Sequence, residues 1–344
     1  VVIWIAWRYQ RAVAYVLAAL ALVIVGFAVV TGVVEHHYMT EFMGAPCHGS
    51  ELVFAAGGDY CGRLVSLYAR SANSNVYVKV AGNAIAPVVG VVLGLLALAN
   101  ELDHRTSRLA WTQSISRSRW LTAKVAVGAA SVTIILVPTA IVLSWWNGTI
   151  GDNDVFARQN FGTAGWDLVA YGLFMFALTV LLGAVIRRVG WTLAAAVVLF
   201  LAVALVVPTK VREHLVAPTV HWYSIGATLG KGTVASYAEP YPENAWLLVS
   251  GIAPRSAVGL PTWNEIVRTD NNLGHCMSKY PRNTHDEVVA VQSRCYRTLH
   301  VENVSVYISS NQFWTLQLRE GLLYLAFGMI LLGGTWVYVR RIEP

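Results

Sequence analysis

Charge is scarce in this chain. Asp, Glu, Lys and Arg together supply 13% of its 344 residues, about half the share of an average soluble domain. Hydrophobic residues supply 56%. A soluble fold of this length lacks the polar side chains to cover so much apolar surface. A bilayer removes the need for a polar exterior. The shortage of charge therefore excludes a soluble globular domain. It also removes the nucleic-acid reading of the +6 net charge, because the cations first have to be placed relative to a membrane. No nucleic-acid partner is expected.

Signatures of catalysis are missing as well. There is no HExxH and no GxSxG. The stretch 226–233, GATLGKGT, superficially suggests a nucleotide loop. Ile225 stands where the first Gly of GxxxxGK[ST] is required, and Gly232 where the Ser or Thr is required. The chain is expected to hold no nucleotide site and no cofactor. Asp and Glu are nearly absent from the apolar runs. A membrane-embedded enzyme, which needs titratable groups at one depth, is not expected either. The triplets at Asn147 and Asn303 match the glycosylation acceptor pattern, a pattern common by chance.

Cysteines are few: Cys47, Cys61, Cys276 and Cys295. They form two locally spaced pairs. His48 and His275 adjoin them, but neither pair has the CxxC spacing of a zinc site, and no metal is expected. Four cysteines permit three pairings. In an oxidising compartment, short loop closure favours Cys47–Cys61 and Cys276–Cys295.

What the chain does have is long apolar runs. Crossing the hydrocarbon core takes about 20 apolar residues, and six segments qualify: about 12–34, 78–99, 123–145, 168–186, 191–207 and 322–339. The fold class is an all-α polytopic membrane protein with six transmembrane helices. The first run is too long for a signal-peptide core and is expected to remain as an anchor. Lys79, Asn83 and Pro87 are expected to interrupt the second helix, and Pro138 the third. Polar residues inside spans default to function, so Lys79 and Asn83 are candidates for a translocation path. The rival readings are snorkelling for Lys79 and an interhelical hydrogen bond for Asn83.

Orientation follows from Lys and Arg in short loops. Arg8 and Arg11 precede the first span. Arg105, Arg108, Arg117, Arg119 and Lys124 lie between the second and third. Arg187 and Arg188 lie between the fourth and fifth, and Arg340 and Arg341 follow the last. Six alternating crossings put all of them on one side, the cytoplasm. Both cysteine pairs then lie outside. The expected organisation is spans one to five over 12–207, with an outer lobe at 35–77 and a cytoplasmic loop at 100–122. A small mixed extracellular domain follows at 208–320, and the sixth span with a cytoplasmic tail at 321–344. Residues 301–309, VENVSVYIS, alternate like a strand.

The loop NELDHRTSRLAWTQSISRSRWLTAK, 100–124, combines Arg with Leu109, Trp111, Ile115 and Trp120. Thr106 or Ser107 suits the cap of a short helix. Two readings stand side by side: an anchor at the lipid headgroups, and a docking element rich in the residues of protein–protein hot spots. This stretch resembles the coupling region of actinobacterial ABC-2 type permeases. Glu101, Thr106, Leu109, Ala110, Trp111, Thr112, Gln113, Ser114, Arg117 and Trp120 carry the likeness. It departs at Asn100, His104 and Arg105. The opening IWIAWRYQRA, 3–12, resembles the family's amphipathic elbow helix, here 1–11, through Trp7, Arg8, Gln10 and Arg11. The segment NQFWTLQLREGLLY, 311–324, resembles the family's entry to the last span through Phe313, Trp314, Gln317 and Glu320.

The resemblance implies the permease subunit of an ATP-driven exporter of the type V architecture, in the bacterial plasma membrane with both termini cytoplasmic. Two permeases, a second copy or a paralogue, would sit on two copies of an ABC ATP-binding subunit, which holds the ATP and Mg. The stretch 106–116 would be the coupling helix. The alternative from another class is a membrane sensor or signalling protein with an extracellular receptor domain.

Overall fold

The computed structural model describes residues 2–44, 58–99, 116–149, 156, 158–163, 165–223, 242, 244–254, 261–280 and 285–341. In chain order the main elements are α1 (Val2–Gly44), α2 (Gly58–Gly94), α3 (Arg117–Thr149), α4 (Asp167–Ile186) and α5 (Val189–Val206). There follow β1 (Thr219–Tyr223), β2 (Trp246–Pro254), α6 (Trp263–Met277), α7 (His285–Leu299), β3 (Val301–Ile308) and α8 (Phe313–Arg341). The six helices α1–α5 and α8 are long and apolar enough to cross a membrane. The chain divides into two units. One comprises Val1–Asp152, Ala157–Arg212 and Trp314–Pro344, and the other Asn153–Phe156 and Glu213–Phe313.

Three features of the membrane unit differ from the sequence reading, each for a physical reason. Residues 2–11, read as a separate elbow, are the opening turns of α1. No Gly or Pro precedes Gly26, so nothing interrupts the backbone ladder. Secondly, α2 and α3 run straight through Pro87 and Pro138 rather than breaking. Inside a helix bundle, neighbouring groups and local adjustments re-pair the freed carbonyl. Thirdly, helical structure reaches further than the apolar runs. Beyond α5 the path continues through a π turn, Val207–Val211, and a 3₁₀ turn, Arg212–His214. At the other end α8 starts at Phe313, ahead of Leu322. Both extensions carry charge into helices, and the two charges neutralise each other, as described below.

The centre of this unit is α4. Most of its residues are buried, and it packs against α2, α3 and α5. A side chain at Gly90 of α2 would collide with the carbonyl oxygen of Gly172 and lie 2.9 Å from the backbone nitrogen of Phe176. Only glycine allows that backbone-to-backbone crossing, the usual way membrane helices gain packing energy without a hydrophobic driving force. By contrast α5 is apolar all round and buries only Thr192 and Ala196, which leaves most of its surface for lipid. Near the start of α1 and α3, the Lys124 ammonium sits 5.1 Å from the Tyr9 ring and 4.9 Å from the Trp120 ring. Arg8 lies over Trp4 and Arg340 over Trp336. Such Trp–cation pairs suit the headgroup level of a bilayer.

The second unit is built on a three-stranded antiparallel sheet of order β1-β3-β2. β3 is the strand expected at 301–309. Its Val304 and Val306 pack with Ala253 and Ile266. α6 starts with a capping box. The Thr262 hydroxyl accepts from the Glu265 N–H at 3.3 Å, and the Glu265 carboxylate accepts from the Thr262 N–H at 2.7 Å. The bond from the Thr262 N–H, with a second from the Thr262 hydroxyl to the same carboxylate at 3.0 Å, holds the Glu265 carboxyl below its usual range. A disulfide joins Cys276 of α6 to Cys295 of α7, with Cα atoms 5.9 Å apart. It leaves no thiolate beside His275 for a metal. The Asn303 side-chain oxygen accepts from the Tyr296 hydroxyl at 3.1 Å.

Candidate functional site

A cavity of about 430 Å³ opens among α2, α4, α5 and α8. Its polar lining comes from residues spaced four apart, which face one way on a helix. Lys79 and Asn83 lie on α2, Asp167 and Tyr171 on α4, Glu320 and Tyr324 on α8. Along α5 and its extension the row is Phe200, Ala204, Pro208 and Arg212. Pro208 has no N–H, and the ladder here widens to a π turn in which the Arg212 N–H reaches back to the carbonyl of Val207. Extra-residue turns of this kind are frequent at functional sites.

The strongest interaction is an ion pair. Arg212 donates from Nε to Glu320 Oε2 at 2.7 Å and from Nη2 to Oε1 at 2.9 Å. The two side chains are 5% and 2% exposed. A bidentate guanidinium–carboxylate pair is the geometry that best offsets the loss of water from both ions. The Tyr324 hydroxyl donates to Glu320 Oε1 at 3.4 Å. The flat face of the guanidinium lies 3.8 Å from the centre of the Phe161 ring. Asp167 stands in the first turn of α4, where backbone N–H groups favour an anion. It is 4% exposed, and its Oδ1 is buried with no hydrogen-bond partner.

The short segment between α3 and α4 closes part of the wall. Gly162 lines the cavity. Gln317 of α8 donates from Nε2 to the Phe161 carbonyl at 3.1 Å, and the Trp166 indole donates to the Gln317 carbonyl at 3.1 Å. Gly165, at φ +68°, makes the turn into α4, a conformation that side chains rarely adopt. Its N–H donates to the Ser144 hydroxyl at 2.6 Å. Asn147 donates to the Thr163 hydroxyl at 2.9 Å, so the first glycosylation triplet is also engaged inside the fold.

Lys79 and Asn83 both line this cavity, and Asn83 donates to the Lys79 carbonyl at 2.7 Å. Glu101, Thr106, Arg108, Leu109, Trp111, Thr112, Gln113 and Ser114 lie outside the described residues. Arg117 is the first residue of α3, and its side chain lies outside the described set. Trp120 is buried in the core cluster with Ala14, Leu17 and Leu121. Cys47 lies outside the described residues, and so does the side chain of Cys61.

The sequence reading placed no cluster of titratable groups at one membrane depth. The structure brings together Asp167, Arg212, Glu320 and Tyr324. Glu320 and Gln317 stood within a motif that pointed at α8. Asp167 and Arg212 had no such signal, because each alone looks like a solvated residue beside an apolar run. No Ser, Thr, Cys or His is among the described residues lining the cavity.

A family model described as ABC-2 membrane transporter related matches residues 15–212. The match takes in every lining residue except Glu320 and Tyr324. No curated protein and no solved structure matches the chain.

Proposed function

This chain belongs to the ABC-2 membrane transporter related family, a multi-pass permease component of an ABC transporter, and from that premise we propose that it is the membrane-spanning subunit of an ATP-driven exporter. Two copies of a separate ATPase subunit hold ATP and Mg and supply the work. This chain contributes no catalytic residue. A second permease, identical or paralogous, completes a type V assembly of the actinobacterial kind in the bacterial plasma membrane. Both termini face the cytoplasm, which agrees with the Arg and Lys residues beside α1, α3 and α8.

The coupling element in this proposal is the stretch 101–116, with Glu101, Thr106, Arg108, Leu109, Trp111, Thr112, Gln113 and Ser114 against the ATPase. Arg117 and Trp120 carry motion onward. Trp120 supports such a role from inside the bundle, because its ring packs on α1 and grips Lys124. ATP binding closes the ATPase pair, moves the lever and repacks the helices, a two-state switch driven by differential binding. The transport route takes in the cavity with Lys79 and Asn83 on its wall.

The observation that carries this reading is the charge-lined cavity, whose lining falls within the family-matched residues apart from Glu320 and Tyr324 of α8. Intramembrane ions are expensive and mark pathways. Its test is copurification with the ATPase. Replacing Arg108 and Trp111 by Ala should dissociate or uncouple the ATPase and leave membrane insertion intact. Unchanged assembly with unchanged ATP-driven transport rejects the proposal.

A further inference from the structure

The buried side of α1 is a single stripe that includes Ala6, Gln10, Ala14, Ala21, Ala28 and Glu35, the spacing of one helix face. Its two polar ends are held differently. At the Gly44 end, the Asn75 amide donates to Glu35 Oε2 at 2.7 Å, and the Trp146 indole donates to the Thr31 hydroxyl at 3.0 Å. These bonds fasten α1 to α2 and α3. At the Val2 end Gln10 is fully buried, and neither its Oε1 nor its Nε2 has a hydrogen-bond partner among the described residues. The Oε1 atom lies 3.7 Å from the point where a Cβ would stand on Gly128 of α3, and the Phe176 ring of α4 lies 2.6 Å from the same point. The amide is therefore held in an apolar seam. It bears the cost of leaving water and makes no bond in return. Between the two ends, Ala14, Ala21 and Ala28 set short side chains against the neighbouring helices, with Leu17 a longer one among them.

We propose that α1 has a second arrangement, reached by pivoting about its fastened Gly44 end, in which the seam beside Gly128 opens and water reaches the Gln10 amide. Water then supplies the hydrogen bonds that the closed seam withholds. The closed form is the better packed and the open form the better hydrogen-bonded, and that opposition brings two arrangements within reach of each other. The pivot needs no break in the helix. At 1.5 Å per residue, about 38 Å of helix separates Gln10 from Glu35, so a tilt of about 5° moves the Gln10 end by about 3 Å, the width of a water molecule. The seam opens beside Lys124 and Trp120, one and two turns before Gly128 on α3, where the Lys124 ammonium lies over the Tyr9 ring of α1. The proposed coupling stretch leads into that end of α3. The use of the pivot in transport rests on that reading: it is the movement that the lever sets off in the bundle.

The experiment follows alkylation of cysteines placed on the stripe by a sulfonated maleimide, a reagent excluded from lipid, in the full-length permease in lipid nanodiscs. Peptide mass spectrometry identifies the cysteine that reacts. Ala14→Cys reports the seam one turn beyond Gln10, and Ala28→Cys reports the fastened end; both positions are buried in the closed form. No ATPase subunit is needed, so failure here is distinct from failure of ATPase docking. Ala14→Cys should react about tenfold faster than Ala28→Cys or more, since local opening sets the rate at a buried position. Adding Gln10→Met, which keeps the length of the side chain and removes the amide, should slow Ala14→Cys by about tenfold and raise the unfolding midpoint, because the closed seam no longer strands a polar group. Gln10→Leu should act in the same direction, so the result does not hang on the fit of one side chain. Equal rates at the two positions overturn the proposal with Gln10 in place. So do apolar variants that both melt below the parent. Apolar variants that raise the midpoint and leave Ala14→Cys as reactive as before also overturn it, since Gln10 would then have a static cost and no part in a movement.

Discussion

The side chain on which the site depends most is Arg212. Its partner Glu320 lies 108 positions away, and both are buried. Removing one member of such a pair strands the other charge, which costs on the order of 3–5 kcal/mol. Arg212→Ala should therefore lower the unfolding midpoint in detergent sharply. Replacing the pair together, Arg212→Met with Glu320→Leu, should regain most of the loss. A single Arg212→Ala variant that melts with the parent would refute the account. The pair was only half legible in the sequence. Glu320 sat in a recognisable motif, whereas Arg212 and Asp167 flank apolar runs where solvated charges are ordinary. Nothing short of bundle closure sets them face to face. A second residue-scale effect concerns pH. Burial pushes the Tyr296 hydroxyl up to about 12. Below pH 10 this tyrosine is protonated whether the unit is folded or not. Between about 10 and 12 the unfolded form ionises first, so folding loses stability as pH rises. Tyr296→Phe should flatten that part of an alkaline stability curve, followed by near-ultraviolet circular dichroism. An unchanged slope would deny Tyr296 the effect.

At the scale of elements, helix contacts rather than helix existence decide the architecture. Six runs of sufficient apolar length announce six spans, because lipid leaves a spanning segment no alternative to internal hydrogen bonding. Their interruptions are less readable. Pro87 and Pro138 suggest breaks by the rules of soluble helices, and both helices pass through them. The crossing of α2 and α4 depends on Gly90, whose backbone touches that of Gly172. A methyl group has no flexible neighbour to displace there. Gly90→Ala should cost about 1–3 kcal/mol, the range for overpacking, and widen the cavity wall on the α2 side. The check is thermal unfolding together with cross-linking of cysteines placed on the two helices. A variant equal to the parent in both would show that the crossing tolerates a side chain. The π turn at Val207–Val211 was not legible either, since an extra residue in a helix leaves no mark in composition. Pro208 is its visible part.

Across the whole molecule, the membrane unit is discontinuous in sequence. It is left at Arg212 and resumed at Trp314, and the second unit, with its own sheet, capped helix and disulfide, occupies the gap. The strand at 301–308 and the local cysteine pair were readable because each has a short-range signature. The placement of Asp167 against α8 was not, since it depends on segments that meet only after the insertion has been made. The Arg212–Glu320 pair thus behaves as a clasp across the mouth of the insertion. It pins departure and return within two side-chain lengths of each other. Closure of the membrane unit then asks nothing of the residues between the two halves of that clasp, so the inserted unit is open to exchange for a different one, or to removal, without unfastening the helices.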